Sequence, residues 1–233
     1  KMSKKNKTGE KAAVAIVLLI AFIGYTLLLR VLDVQAIGPL DSQVGFASLN
    51  DLVFNALGTS DTWYSITKLI GYAAIVVALL MGVWMLIQMI RRKGFFKADH
   101  RFYALMGLYV VMGCLYVAFD HVIVINYRPV LEAGALAPSY PSSHTMLTLT
   151  IALSAASAIP GILHRRSLKP VCWTIAIAVS AVMAVGRLLS GVHWISDIVG
   201  AVILSCALVA VYDAVSYAIG RRIHLRRRAA RRA

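Results

Sequence analysis

Acidic residues are scarce in this sequence, and charged residues of either sign make up only 15% of its 233 positions. The chain has 10 Asp and Glu against 24 Lys and Arg, a formal net charge of +14, and 60% of its residues are hydrophobic. A soluble domain of ordinary composition has about 25% charged residues. The composition therefore excludes that class and indicates an integral membrane protein.

Cysteine is scarce as well. The three cysteines lie in apolar runs with no C-x-x-C spacing, so neither a disulfide framework nor a zinc site is indicated. We find no internal repeat, no low-complexity linker and no second domain. The sequence thus predicts a single domain over residues 1–233, of which residues 221–233 form a basic cytoplasmic tail.

The basic residues are unevenly distributed along the chain. Twenty of them fall in four short segments, residues 1–11, 91–101, 165–169 and 221–232, and the other four are Arg30, Lys68, Arg128 and Arg187. Basic segments that alternate with apolar stretches follow the positive-inside rule. Nucleic-acid binding requires basic residues on one polar face, so the predicted partner is the lipid bilayer and no nucleic acid.

Six apolar segments are long enough to cross a bilayer, at residues 12–32, 66–90, 102–123, 143–163, 170–189 and 195–220. They predict an all-α integral membrane protein with six transmembrane helices. An even number of spans puts both termini on one side, which the basic segments make cytoplasmic. The expected location is the cytoplasmic membrane, in a bacterium, with the first span retained as an anchor.

The predicted outer loops are residues 33–65, residues 124–142 and a tight turn at 190–193. In the first, an amphipathic run at 44–57 fits a short interfacial helix or a structured loop. Trp63, Tyr64, Tyr127, Tyr140 and Trp194 lie near the outer boundary, as in an aromatic belt. The last three adjoin the polar residues described next. The alternative interpretation is that these three form the walls of a lipid-headgroup pocket.

His193 and Asp197 stand four residues apart at the start of the sixth span. On a helix they share a face and can hydrogen-bond. Such an aspartate fixes the imidazole tautomer and stabilises the charge that develops when the histidine acts as a nucleophile. The alternative is a carboxylate that interacts with the helix dipole beside an interfacial histidine.

Two arginines lie at the same outer side. Arg187 ends the fifth span, and Arg128 precedes a proline in the second outer loop. A guanidinium presents paired donors that suit phosphate oxygens, although an arginine at a helix end is also a plain interfacial anchor. Because ionisable residues are costly in a membrane protein, the two arginines and the histidines together indicate a phosphate site.

The Pro-Ser-Ser-His segment at 141–144 has the form of a helix start with a serine cap. The free amides of a first turn and the helix dipole suit an anion. Ser142 and Ser143 are thus candidates to hold a phosphoryl group, and His144 is a candidate to protonate a leaving oxygen. Capping alone explains the serines but leaves His144 unexplained.

These three motifs resemble the signature of the type 2 phosphatidic acid phosphatase superfamily, which reads K-x6-R-P, then P-S-G-H, then S-R-x5-H-x3-D. The chain has the same order and spacing across residues 121–129, 141–144 and 186–197. The resemblance implies a six-helix membrane phosphatase in which His193 attacks phosphorus, Asp197 orients it and His144 protonates the departing group. It also implies no metal, no cofactor and phosphate binding by Arg128, Arg187, Ser142 and Ser143.

Three positions depart from the family pattern. Ser143 replaces a glycine, Gly186 replaces a serine, and His121 replaces the lysine of the first motif. The last change is the most consequential, because a permanent cation becomes a group whose charge depends on pH. His121 is therefore either a phosphate-binding residue or a bystander at the end of the third span.

The resemblance implies a lipid phosphatase whose active site, at the outer helix ends after the third span, acts on undecaprenyl diphosphate, phosphatidylglycerophosphate or phosphatidate. The alternatives are a lipid-phosphate binding protein or a phosphotransferase of the same fold, and a small anion transporter. Transporters place such groups near the membrane midplane, often in repeated halves, so the position of the motifs at one face argues against a transporter.

Overall fold

The computed structural model describes residues 6–231, and this part of the chain is helical, with short loops and only isolated β-bridges. Two single turns of 3-10 helix occur at Pro39–Asp41 and Phe95–Lys97. The helices are α1 (Asn6–Leu29), α2 (Ala47–Leu57), α3 (Asp61–Arg91), α4 (His100–His121), α5 (Ser143–Ile162), α6 (Leu168–Leu189) and α7 (Ile195–Ala229).

Six of these helices are long and apolar enough to cross a membrane, which confirms the predicted number of spans. The first ends at Leu29, three residues before its predicted end, because the chain turns there toward the 3-10 helix. The last continues past residue 220 to Ala229, so the predicted basic tail is helical over most of its length. Residues 232–233 of that tail lie outside the described part.

The amphipathic run in the first outer loop forms α2, a helix of 11 residues. Only Ala47 and Asn50 of this helix are buried, while Leu49 and Leu52 are exposed. This is the pattern of a helix that lies on the bundle and turns an apolar edge outward, as an interfacial helix does.

Helices α5 and α7 form the centre of the bundle. In the apolar 18-residue stretch of α5, 67% of the residues are buried, and in that of α7, 50% are buried. The corresponding share in the other four spans is 17% to 33%. Helix α1 packs along α7, and α3 and α6 pack on α5. Gly200 lets the ring of Tyr140 lie directly on α7, since a Cβ atom there would overlap the ring. The central pair is therefore rigidly held where it begins.

The two ends of the bundle differ in charge. At one end, residues from all four basic segments line a single cavity of about 840 Å³: Lys11, Arg101, Arg166, Lys169 and Arg221. Asp213 pairs there with Lys11 at 3.3 Å. The other end holds α2, the loop at 122–142 and the N-termini of α5 and α7, and every motif residue lies there or beside it.

Candidate functional site

Helices α5 and α7 begin side by side, which joins the second and third motifs. The amide of Ser142 donates to the carbonyl of Asp197 at 3.2 Å. Between α6 and α7 the chain reverses in a short turn where Gly191 has a φ of +69°, a conformation that favours glycine. This turn brings Arg187, at the end of α6, to the same end of the bundle as His193.

His193 and Asp197 are neighbours in the structure, with 3.6 Å between Nδ1 and the nearer carboxylate oxygen. Both are buried, with 2% and 0% of their surfaces exposed. The same carboxylate accepts the amide of Trp194 at 3.0 Å and so caps α7. The two interpretations of Asp197 are therefore combined, since one oxygen both caps the helix and faces the imidazole.

Burial is the main cause that lowers the pKa of His193 well below its ordinary value, and the positive charges of Arg187 and Arg128 lower it further. A neutral imidazole keeps a lone pair free to attack an electrophile. Neither ring nitrogen is within hydrogen-bonding geometry of a partner among the described residues. His193 is therefore an available nucleophile at neutral pH.

Arg187 is fully buried, with 0% of its surface exposed. Its Nη1 lies 3.5 Å from Oγ1 of Thr67, and its guanidinium carbon lies 5.4 Å from the ring centroid of Tyr64. Its Nε and Nη2 have no hydrogen-bond partner in the described part of the chain. A buried cation with unused donors is costly, and a bound anion is one group that would offset this cost.

Arg128 approaches from the loop at 122–142, which folds back on itself. The Arg128 amide donates to the carbonyl of Ala137 at 2.9 Å, and Nε donates to the carbonyl of Pro138 at 3.4 Å. Nη1 pairs with the half-exposed carboxylate of Glu132 at 3.0 Å. The guanidinium is thus mostly buried. Its carboxylate partner, Glu132, faces solvent, so a ligand can take the place of that carboxylate.

The start of α5 differs in detail from the predicted serine cap. Ser142 occupies the cap position, but its Oγ shares a hydrogen bond of 3.0 Å with Oγ1 of Thr145 and does not bond to a backbone amide. The first amides of a helix have no partner within it, so those of Ser143 and His144 are free for a ligand. The His144 ring lies against Gly71 of α3, where a Cβ atom would be 3.1 Å from Cδ2.

His121 does not join the other motif residues. It ends α4 with 66% of its side chain exposed, and its Nε2 pairs with Asp120 at 3.4 Å. The reason is helical geometry: Phe119, two residues earlier, is buried against Phe22 and Tyr140, and residues two apart point to nearly opposite sides. Asp120, Ser143 and His193 line a narrow cleft of about 10 Å³, and His121 lies outside it.

Two asparagines, which the motifs did not reveal, hold together the end of the bundle that carries the motifs. Asn126 donates to the second carboxylate oxygen of Asp197 at 3.3 Å and accepts from the amide of Gly45 at 3.3 Å. Asn50 of α2 donates to the Gly45 carbonyl at 2.8 Å and to the Ser196 hydroxyl at 2.9 Å. Both are buried. In the sequence Asn126 stands at an unspecified position of the first motif, and Asn50 lies in the first outer loop, far from all three motifs, so no motif points to either residue.

Two of the predicted belt residues also belong to the site. Tyr64 lies beside Arg187, as described, and Trp194 is buried with Nε1 donating to the carbonyl of Tyr127 at 2.7 Å. Tyr140 is buried in the aromatic cluster with Phe22, and its hydroxyl shares a hydrogen bond with Thr26 at 2.6 Å. These rings therefore pack around the polar residues and exclude water from them.

Comparisons with known proteins bear on the family and the fold of this chain. A family model described as the PAP2 superfamily matches residues 118–221, which contain all three motifs. Among solved structures, the transmembrane PAP2 type phosphatidylglycerolphosphate phosphatase from Bacillus subtilis aligns with a TM-score of 0.62 and 16% identity, covering 87% of this chain and 95% of that chain. No curated protein has a significant sequence match to this chain. The two chains share a fold.

Proposed function

We propose that this protein, whose residues 118–221 match the family model of the PAP2 superfamily, is a membrane lipid phosphatase that cleaves a phosphate monoester or diphosphate through a phosphohistidine at His193. The observation that carries the proposal is the group of buried, unused polar atoms at one end of the bundle: Nε and Nη2 of Arg187, both ring nitrogens of His193 and Nδ1 of His144. Buried polar atoms normally have partners, and a bound phosphoryl group can supply oxygen acceptors for the donors among them.

The first chemical step transfers the phosphoryl group to His193. The Nε2 lone pair forms an N–P bond while the bond from phosphorus to the leaving oxygen breaks, and His144 gives its proton to that oxygen. The imidazole becomes positively charged, and Asp197 at 3.6 Å is placed to stabilise that charge as Nδ1 and the carboxylate approach. Arg187, Arg128 and the amides of Ser143 and His144 hold the phosphoryl oxygens.

The second step releases phosphate. His144, now neutral, accepts a proton from a water molecule whose oxygen attacks phosphorus, and the N–P bond breaks with its electron pair returning to His193. Each group ends in its starting protonation state. This sequence uses neither a metal ion nor a cofactor, which makes resistance to chelation a required property of the proposed enzyme.

A groove between α3, α4 and α5 supports a lipid as the substrate. It has a volume of about 310 Å³, is lined mainly by apolar residues such as Ile75, Met112 and Leu147, and ends at Ser143 and His144. An acyl or prenyl chain in this groove would keep its tail in the membrane while its phosphate reaches the histidines. The four basic segments converge at the opposite end, which by the positive-inside rule supports a site at the outer leaflet of the cytoplasmic membrane.

The candidate substrates are undecaprenyl diphosphate, phosphatidylglycerophosphate and phosphatidate, and the second has the headgroup named for the Bacillus subtilis enzyme of the same fold. The test is phosphate release by the purified protein from each lipid in detergent with EDTA present. We expect release from at least one of them, and an Asp197→Asn variant slower by roughly 10²- to 10⁴-fold. Asp213→Asn, on the same helix at the basic end, is the matched control.

The outcomes of this assay separate the proposal from its rivals. Undiminished release by Asp197→Asn, or release abolished by EDTA, would contradict the mechanism. Lipid binding without release would identify a lipid-phosphate binding protein. Phosphate appearing on an acceptor lipid would identify a phosphotransferase, and flux of phosphate into sealed vesicles a transporter.

Asn126 offers a test of how the site is held. We expect Asn126→Ala and Asn50→Ala each to lower the free energy of unfolding by about 1–3 kcal/mol, because each leaves buried polar groups unpaired. Only Asn126 touches Asp197, so we expect kcat to fall on the order of tenfold more in Asn126→Ala. Thermal unfolding in detergent and steady-state kinetics of the two variants measure this difference. Equal kcat values would show that Asn126 has only a structural role.

A further inference from the structure

The phosphate site lacks one of the three cations that its motifs lead one to expect. Arg187 and Arg128 are in place, but position 121 carries a histidine that is two-thirds exposed and paired with Asp120. Arg128 is in part neutralised by Glu132 at 3.0 Å. A phosphate monoester carries a charge between one and two negative units at neutral pH, so the motif residues alone leave its charge incompletely balanced.

One face of α3, outside all three motifs, lies against this site. Tyr64 and Thr67 contact Arg187, at 5.4 Å from its guanidinium carbon and 3.5 Å from its Nη1. One turn further, Gly71 faces the ring of His144. Lys68 stands four residues after Tyr64 and three before Gly71, and residues at these spacings share one face of a helix.

The Lys68 side chain is directed toward the site and not toward the membrane surface. Its Nζ lies 5.3 Å from the ring centroid of Tyr64, the same ring that borders the Arg187 guanidinium. Lys68 is half-buried. A lysine that merely reached for lipid headgroups would leave the bundle, whereas this one lies between the two ends of the phosphate site.

We propose that Lys68 is the third cation of the phosphate site, supplied by α3 in place of the lysine that the first motif lacks. The inference rests on the proposed function, because it assigns a ligand to the same site. Lys68 Nζ would donate a charge-assisted hydrogen bond to a phosphoryl oxygen on the side of Tyr64 and His144. Among the residues that the structure describes, no carboxylate forms a salt bridge with Lys68, so its charge is available to a ligand.

The test compares four variants: Lys68→Met, Lys68→Arg, His121→Ala and Arg30→Met. Arg30 is the matched control, because it is another isolated cation at this side of the chain but is exposed at the end of α1. We expect Lys68→Met to lower kcat/KM for the lipid substrate roughly 10- to 100-fold, the value of one charge-assisted hydrogen bond. Lys68→Arg keeps most of the activity, and His121→Ala and Arg30→Met stay within about twofold of the wild type.

A second readout needs no turnover. Inorganic phosphate is titrated against the thermal unfolding of each variant in detergent, and we expect the midpoint of the wild type to rise with phosphate while that of Lys68→Met rises far less. If lipids are not hydrolysed but phosphate binding depends on Lys68, the phosphatase proposal fails and the assignment of Lys68 holds. If lipids are hydrolysed and Lys68→Met is as active as the wild type, the assignment fails. Equal losses in Lys68→Met and Arg30→Met, or no phosphate binding by the wild type, would also overturn it.

Discussion

Replacing His193 with alanine is expected to reduce phosphate release by roughly 10⁴-fold or more, the largest effect of any single substitution in this chain. The variant loses the atom that forms the bond to phosphorus, while Arg187, Arg128 and His144 remain to bind the substrate. Binding without attack should leave the affinity for inorganic phosphate close to that of the wild type. The loss therefore lies in kcat, and KM changes little.

A rapid-quench experiment with a lipid labelled in its terminal phosphate measures the intermediate directly. We expect a phosphoenzyme that is stable in base and labile in acid, as a phosphohistidine is, and no label on His193→Ala. His224→Ala, which removes an exposed histidine near the end of α7, should label normally. Label on His193→Ala at the level of the wild type would assign the nucleophile elsewhere and refute the proposed mechanism.

Much of this architecture could be predicted because it depends on local sequence. The six spans follow from the length and hydropathy of each segment, and the alternating direction of successive spans brings the motifs, which border the turns after the third and fifth spans, to one end. The pair of His193 and Asp197 follows from their spacing at a helix start, and the structure places them 3.6 Å apart. Each of these predictions depends only on the sequence of one segment or of two adjoining segments.

The parts that could not be predicted depend on contacts between distant segments. Asn50 meets Ser196 across a separation of 146 residues, and nothing in either segment specifies the other. The direction of His121 depends on Phe119, whose burial is decided by the aromatic cluster with Phe22 and Tyr140. Lys68 could be recognised as an isolated cation, but only the packing of α3 on α5 and α6 brings it toward the site.

The same reasoning explains why Tyr64 looked like an interfacial aromatic. Its position near the end of a span fits a belt, and the sequence holds no sign that its ring lies beside a buried guanidinium. A cation next to an aromatic face is stabilised by about 0.5–2 kcal/mol, more when water is excluded. Tyr64 is thus a neutral partner that makes the buried charge of Arg187 tolerable without neutralising it.

Arg187 gives the second large prediction, in which activity and stability change in opposite directions. We expect Arg187→Met to lower kcat/KM roughly 10²- to 10³-fold, as the loss of one donor to a developing oxyanion does. We also expect it to raise the free energy of unfolding by about 1–4 kcal/mol, because an apolar side chain of similar length replaces a buried charge. No carboxylate forms a salt bridge with Arg187 in the described part of the chain, so the substitution leaves no partner charge exposed to an apolar environment.

The physical reason for these opposite changes in activity and stability is tested by adding inorganic phosphate. Inorganic phosphate at about 100 times its dissociation constant should stabilise the wild type by roughly 2.7 kcal/mol, and it should stabilise Arg187→Met much less. Arg187→Lys is the control, because it keeps the buried charge and should not gain the stability of the methionine variant. A lower unfolding temperature for Arg187→Met without phosphate would mean that the contacts of the guanidinium with Thr67 and Tyr64 outweigh its burial. The wild type would then be stabilised by Arg187 itself, and the fold would not depend on a bound anion to offset that charge.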